Sequence, residues 1–390
     1  MNKILIFYGS KNKFLKRCPD EYKNLTYLAA EADRRQKEIN INVKGIKKTS
    51  TYGFDDEEED EEEDDKRIYV KNFVIDSNEF SGVNDHVIIN FVNILSYFII
   101  DNLFIHNPPL LVSAQLQRTY GEIVEVIKEE YRYLKKSHIK LINDDYNNKV
   151  IGQDNVKVQL LKSLFPLTIK GRKKPVVMLF YGNSGIGKTE TALYLASVLK
   201  EKLFRKQFSM FQNNQFSTYL FGGSYKEPSF AKDLLDRESN VILLDEFDKA
   251  NPYFHSAFYQ LFDEGVFVDS NYHVELNKAI IICTSNYQNL DEIKEKLGAP
   301  IYNRFDTIIH FKDLSKESKY QIAQQIFDKT EKTYKRYYKL ELSEKIKSNL
   351  FQAVVECENV REIQHLVEDT FSLAEVLEIV KEPDNKESIT

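Results

Sequence analysis

Gly182–Thr189 reads GNSGIGKT, an instance of GxxxxGK[ST], and its surroundings decide how the rest of the chain is read. The apolar run VVMLFYG enters it from Val176, and a helical stretch from Thr189 to Lys202 leaves it. The motif therefore has the strand–loop–helix setting that it needs. Glycines let the backbone bend until several N–H groups converge on phosphate oxygens, and the helix N-terminus adds a favourable dipole. In this reading Lys188 bridges the β- and γ-phosphates of a nucleotide, and the Thr189 hydroxyl coordinates Mg²⁺. A chance glycine-rich turn leaves the flanking elements unexplained.

Working outward, VILLDE ends some fifty residues later in Asp245 and Glu246. An acidic pair at the end of a buried strand puts two carboxylates at the edge of a sheet where α/β folds hold ligands. Asp245 is suited to hold Mg²⁺ through water, and Glu246 to polarise an attacking water as general base. Alone such a pair is most often a solvated strand end; beside the phosphate loop it argues for hydrolysis of ATP. VVMLFYG, NVILLDE and AIIICTSN are nearly continuous in hydrophobicity, as strands buried on both faces of a parallel sheet are. With helices between them they predict an α/β domain from about Asn148 to Phe311. Beyond Asp313 the strand signal fades. SKESKYQIAQQIFDKTEKTYKRYY predicts a long helix, Leu342–Val355 a second and Val360–Ile379 a third. The expected division is an accessory α+β region over 1–140, a large nucleotide-binding α/β domain over 141–312, a small helical lid over 313–380 and a tail over 381–390.

The order of these motifs resembles that of the AAA+ superfamily, and their wording is similar to the second ATPase module of Clp-type unfoldases and disaggregases. VIGQDNVKVQLLKSL resembles the segment that packs on adenine, which implies nucleotide contacts from Val150 and Ile151. NSGIGKTETALYLA resembles the family's phosphate loop and following helix. The resemblance implies that Gly182, Asn183, Ser184, Gly185, Ile186, Gly187, Lys188, Thr189 and Glu190 bind the nucleotide together with Asp245. VILLDEFDKANPYFHSAFYQLFDEG is close to the second acidic motif. IIICTSN implies that Asn286 orients the lytic water, YNRFDTIIHF that Arg304 is an arginine finger, and NVREIQHLVE that Arg361 is the sensor on the lid. By residue type alone, each arginine reads as a surface ion-pair partner worth little. An arginine finger acts on nucleotide bound by a neighbour, so the resemblance implies a homo-oligomer, a six-membered ring or spiral.

Two departures stand out. Clp-type unfoldases grip polypeptide with an aromatic residue between glycines on a loop facing a pore. The equivalent stretch here, STYLFGGSYKEPSF (Ser217–Phe230), lacks that signature. Tyr219, Phe221 and Tyr225 are the candidates for substrate contact, Tyr225 first, against the alternative of a loop packed on its own domain. The second pore element corresponds to a hairpin over Val266–Glu275. Residues 1–140 match none of the family's accessory domains. There Ile4–Tyr8 and Ile68–Asp76 read as strands and Gln115–Lys135 as a helix. Val87–Ile105 reads as a packed helix rather than a membrane span, because Asn90, Asn93, Ser96, Asp101 and Asn102 interrupt it.

Charge and composition bound the function. The formal net charge is −6, and with the eleven acidic residues Asp55–Asp65 set aside the rest of the chain sums to +5. That run reads as a solvated loop; the sharper alternative is a docking site, or a decoy, for a basic partner. No basic stripe marks a nucleic-acid binder, and the acidic run would repel phosphate, which argues against a DNA motor or loader. Cys18, Cys283 and Cys357 stand apart with no CxxC spacing, and the seven histidines show no ligand spacing. The expectation is a cytoplasmic protein without disulfides or a transition-metal site. Two readings remain: a ring ATPase that remodels a protein client, or an ATP-gated regulatory platform that controls an effector.

Overall fold

The computed structural model describes residues 1–28, 30, 31, 34, 67–210 and 215–381; the acidic run and residues 382–390 lie outside them. The first strands along the chain are β1 (Lys3–Tyr8), β2 (Ile68–Ile75), β3 (Phe98–His106) and β4 (Val124–Lys128). They are followed by β5 (Val176–Tyr181), β6 (Phe204–Gln207), β7 (Val241–Asp245), β8 (Val266–Val268), β9 (His273–Glu275), β10 (Ile280–Thr284) and β11 (Thr307–His310). Two compact units divide the chain. The first gathers Met1–Tyr131, Asn213–Glu238 and Val266–Leu276; the second gathers Arg132–Gln212, Ser239–Gly265 and Asn277–Thr390.

The second unit is built on a parallel sheet in the order β11-β5-β10-β7-β6. Every residue of β5, β7 and β10 is buried, which is why these strands read as unbroken apolar runs: helices cover both faces. Val176, Met178 and Phe180 of β5 pack with Val241, Leu243, Ile280 and Ile282, and with Leu160, Leu164 and Leu195 from the flanking helices. Each such fully buried side chain contributes about 1.5–3 kcal/mol of transfer free energy. All three strands run the same way, so their C-terminal ends lie together: Tyr181 before the phosphate loop, Asp245, and Thr284.

The helical part follows β11. Helices Lys316–Tyr338 and Glu344–Val354 begin at Ser315 and Ser343, whose side chains accept backbone N–H groups of Ser318 and Ile346, the usual N-cap solution for orphan donors. Phe327, Leu350, Val367 and Phe371 join these two helices to a third, Val360–Lys381.

The first unit holds a second parallel sheet, in the order β2-β3-β1-β4. Its core includes Ile4, Ile6, Phe73, Phe80, Phe91, Ile100 and Leu116. Two expectations are corrected here. The helix expected over Gln115–Lys135 is instead a helix over Leu110–Tyr120 followed by β4. The β-branched run Val124–Ile127 finds a partner in Ile4–Phe7, 120 residues away, and long-range pairing overrides the local helical spacing. Val87–Ile105 is two short helices, Asp85–Ile89 and Phe91–Leu95, and then β3. Asn90 interrupts the helices at φ −111°, ψ 31°, and FIIDNLFIH is drawn into the sheet between β1 and β2. No helix among the described residues is long and apolar enough to cross a membrane.

Candidate functional site

The chain leaves β5 through Gly182, Gly185 and Gly187 with φ of +129°, +73° and +110°, the left-handed region that glycine enters without cost. A Cβ on Gly182 would stand 2.4 Å from the carbonyl oxygen of Phe311. The loop delivers Lys188, first residue of the helix Lys188–Val198, into a cavity of 610 Å³. Its ammonium donates to the carbonyls of Gly182 (2.6 Å) and Asn183 (2.8 Å) and to Oδ1 of Asn286 (3.1 Å). Burial pushes Lys188 down to about 8, although Asp248 and Asp245 pull the other way. A desolvated ammonium gains from an anionic ligand, which favours its charged form.

Asp245 and Glu246 divide their environments. Asp245 is buried; its Oδ1 accepts the Thr284 hydroxyl at 2.5 Å, and its Oδ2 accepts Arg205 Nε at 2.9 Å and also Arg205 Nη2. Glu246 turns out of the strand at φ +54°, a conformation uncommon for a non-glycine residue and met most often at functional sites. Its N–H donates to the Thr284 hydroxyl (2.9 Å) and its Oε2 accepts Gln207 Nε2 (3.1 Å). Hydrogen bonds from Ser209 and Gln207 hold its carboxyl below the usual range, so it is ionised near neutral pH, the state a base needs.

The same cavity is lined by Val150 and Ile151, by Ser184 to Glu190, and by Asn286 and Arg361. Arg361 reaches Ser184 Oγ at 3.4 Å from the helix Val360–Lys381. Arg304 does not line it. Its Nε donates to Asp263 at 2.8 Å and its Nη1 to the carbonyl of Pro300 at 2.6 Å, and its guanidinium lies 4.0 Å from the centre of the Tyr259 ring.

The three aromatic candidates belong to the first unit. Tyr219 is buried and its hydroxyl donates to Asp233 at 2.6 Å, whereas Phe221 is 44% exposed. Tyr225 is partly buried against the hydrophobic core of the N-terminal sheet. Three further residues at the cavity carried no sequence signal of their own, namely Arg205, Gln207 and Thr284, which hold the two carboxylates; Asp248, whose carboxyl burial pushes upward, accepts the Asn286 N–H at 3.5 Å. Arg205 and Gln207 alternate on β6 and pair in register with Leu243 and Asp245. That alternation beside a DE-ending strand was the one available clue.

The residues fit a Mg²⁺-nucleotide. The loop's path requires glycine at Gly182, where a Cβ would meet the Phe311 carbonyl, and the donors and carboxylates converge on one space. Mg²⁺ takes few protein ligands and is completed by phosphate and water, so a hydroxyl at Thr189 and a carboxylate at Asp245 would be enough to hold one.

Comparison with known proteins agrees. Residues 173–349 match the family model described as AAA domain (Cdc48 subfamily). The chain is 27% identical over 276 residues to the chaperone protein ClpB of Mycoplasmoides gallisepticum, covering 62% of this chain and 38% of that one. It is 26% identical over 285 residues to the ClpB of Aquifex aeolicus, covering 61% and 28%. To the ATP-dependent Clp protease ATP-binding subunit ClpE of Bacillus subtilis it is 26% identical over 251 residues, covering 56% and 35%. The chain thus spans less than two-fifths of the length of these relatives. Residues 173–349, which include most of this sheet and much of the cavity's lining, thus match an AAA domain, and the chain resembles the Clp-type ATPases.

Proposed function

We propose that the chain binds ATP with Mg²⁺ in the 610 Å³ cavity and hydrolyses it at the interfaces of a cytoplasmic homo-oligomer, a ring or spiral, to remodel or unfold a protein partner. The observation that carries this reading is the convergence of Lys188, Asp245, Glu246 and Asn286 on one cavity. Mg²⁺, held by Thr189 and Asp245, would neutralise phosphate charge. Lys188 holds the phosphates, Glu246 takes the proton of the attacking water, and Asn286 orients that water. Val150 and Ile151 pack on the base. Arg304, turned away from its own cavity, acts on the nucleotide of a neighbour, and Arg361 couples the nucleotide to the lid. The test is phosphate release by purified protein: Glu246→Gln should keep nucleotide binding and lose hydrolysis, and an active Glu246→Gln enzyme would sink the proposal.

A second reading, an ATP-gated platform that controls an effector protein, is favoured by the burial of Tyr219 and the packing of Tyr225. Aromatic rings engaged in their own unit are poor grips for a passing polypeptide.

A further inference from the structure

Parallel α/β sheets bind ligands at the carboxyl ends of their strands. In the N-terminal sheet the chain's own residues 215–238 and 266–276 meet that edge, and the stretch after each of its four strands takes part. Just after β1, the Lys11 N–H donates to Asp236 Oδ1 at 2.7 Å. After β2, the Ser81 hydroxyl donates to the Tyr225 carbonyl at 3.3 Å and accepts Lys232 Nζ at 3.2 Å. After β3, the Leu110 N–H donates to the carbonyl of Asn271 at 2.8 Å. After β4, the Tyr131 hydroxyl donates to the carbonyl of Arg237 at 3.1 Å while its ring lies 3.9 Å from the Arg237 guanidinium.

The two segments also hold each other. The Ser270 N–H donates to the carbonyl of Phe221 at 3.0 Å, and Phe230 meets Phe267 edge-on at 5.0 Å between centroids. Both are loops of the ATPase in sequence. Residues 213–238 connect β6 to β7, the strands that carry Arg205, Gln207, Asp245 and Glu246, and residues 266–276 precede β10, which ends in Thr284. In space both are components of the N-terminal fold.

We infer that the first unit forms a built-in receptor for the two segments, so that these loops of the ATPase stay docked throughout its cycle instead of gripping a passing polypeptide. The inference rests on the ATPase reading above and favours its platform form.

The experiment is hydrogen–deuterium exchange on the full-length Glu246→Gln protein, with and without MgATP, beside phosphate release by the wild type. The amides of Lys11, Leu110 and Ser270 should exchange within about two-fold of one another's rates in the two states, because a closed receptor does not open locally. The double variant Ser81→Ala/Tyr131→Ala, which loses two of the four attachments, should speed exchange across 224–237 by about ten-fold. Acceleration of about ten-fold or more on adding MgATP to Glu246→Gln, with the wild type active, would show that ATP frees the segments and would overturn the inference while leaving the ATPase reading intact. Unchanged exchange in the double variant would overturn it too, since the contacts would not be what holds the segments. A wild type that releases no phosphate fails the ATPase reading itself and takes the inference with it.

Discussion

Replacing Thr284 with valine keeps the shape of a side chain that is 2% exposed and removes one oxygen. That oxygen makes two bonds: it donates to Asp245 at 2.5 Å and accepts the Glu246 N–H at 2.9 Å. Leaving a buried donor or acceptor without its partner costs about 1–3 kcal/mol, so the two losses together destabilise the second unit by roughly 2–4 kcal/mol. The larger consequence is positional. Glu246 stands at φ +54°, a conformation that costs about 1–3 kcal/mol and persists only where its surroundings enforce it. Without the Thr284 oxygen the peptide relaxes and carries the carboxylate away from Gln207. A shift of 1 Å at a reacting group costs about 100-fold in rate, and kcat should fall by about that factor. The phosphate loop is untouched, so the Kd for a fluorescent ATP analogue should stay within about three-fold. Thr284→Ser retains the oxygen and should keep most of the activity. Steady-state phosphate release, nucleotide titration and a thermal melt test this. A Thr284→Val enzyme with wild-type kcat and a melting point lowered only by the lost bonds would refute the positional argument.

Lys188 is pushed down to about 8 by burial, and bound phosphate restores its charge; nucleotide affinity should therefore be complete below pH 8 and fall about ten-fold per unit above it. Calorimetry in two buffers of different ionisation enthalpy near pH 8 should register proton uptake on binding, and equal heats would contradict it. His255, buried and stacked on Phe247, is pushed down to about 4 from an ordinary 6.5. It is neutral in the fold, so stability is full above pH 6.5 and falls by about 3 kcal/mol as the pH drops to 4; chemical denaturation of His255→Phe should lose that slope. Arg304→Ala should lower kcat by about 1,000-fold with little change in nucleotide affinity. Mixing it with Glu246→Gln should restore hydrolysis, because one partner supplies the base and the other the arginine; no recovery in the mixture would remove the role across the interface.

The ATPase sheet was legible because its chemistry is local. Strands buried on both faces write themselves as VVMLFY, VILLD and IIICT, and a phosphate loop must have its glycines and lysine within eight residues. The helices after Asp313 were legible as long stretches without strand runs, and the structure starts two of them at Ser315 and Ser343. Arg205 and Gln207 escaped because β6 is an edge strand of four residues, none fully buried, and writes no apolar run. Thr284 stood inside a quoted motif, but its role depends on Asp245 and Glu246 arriving from another strand. β3 and β4 were misread because their partners lie far along the chain, and periodicity within a window carries nothing of those pairings.

The stretch FGGSY makes the same point in reverse. By the sequence of the Clp-type unfoldases it is a pore loop that has lost its aromatic residue from between two glycines. The glycines nevertheless have a physical reason to be there. Gly222 sits at φ +81°, and a Cβ on it would stand 2.3 Å from Ser270 Oγ, so only glycine lets the loop close on the hairpin turn. One residue on, the Gly223 carbonyl accepts Asn271 Nδ2 at 2.9 Å, and the Asn271 carbonyl in turn accepts the N–H of Leu110, first residue of the helix after β3. Gly222 thus sits at the meeting of the two segments, and two hydrogen bonds in series run from its neighbour Gly223 to Leu110. An exposed gripping loop needs an aromatic ring with room around it. A joint between two segments needs close backbone approach, and FGGSY has the glycines for it.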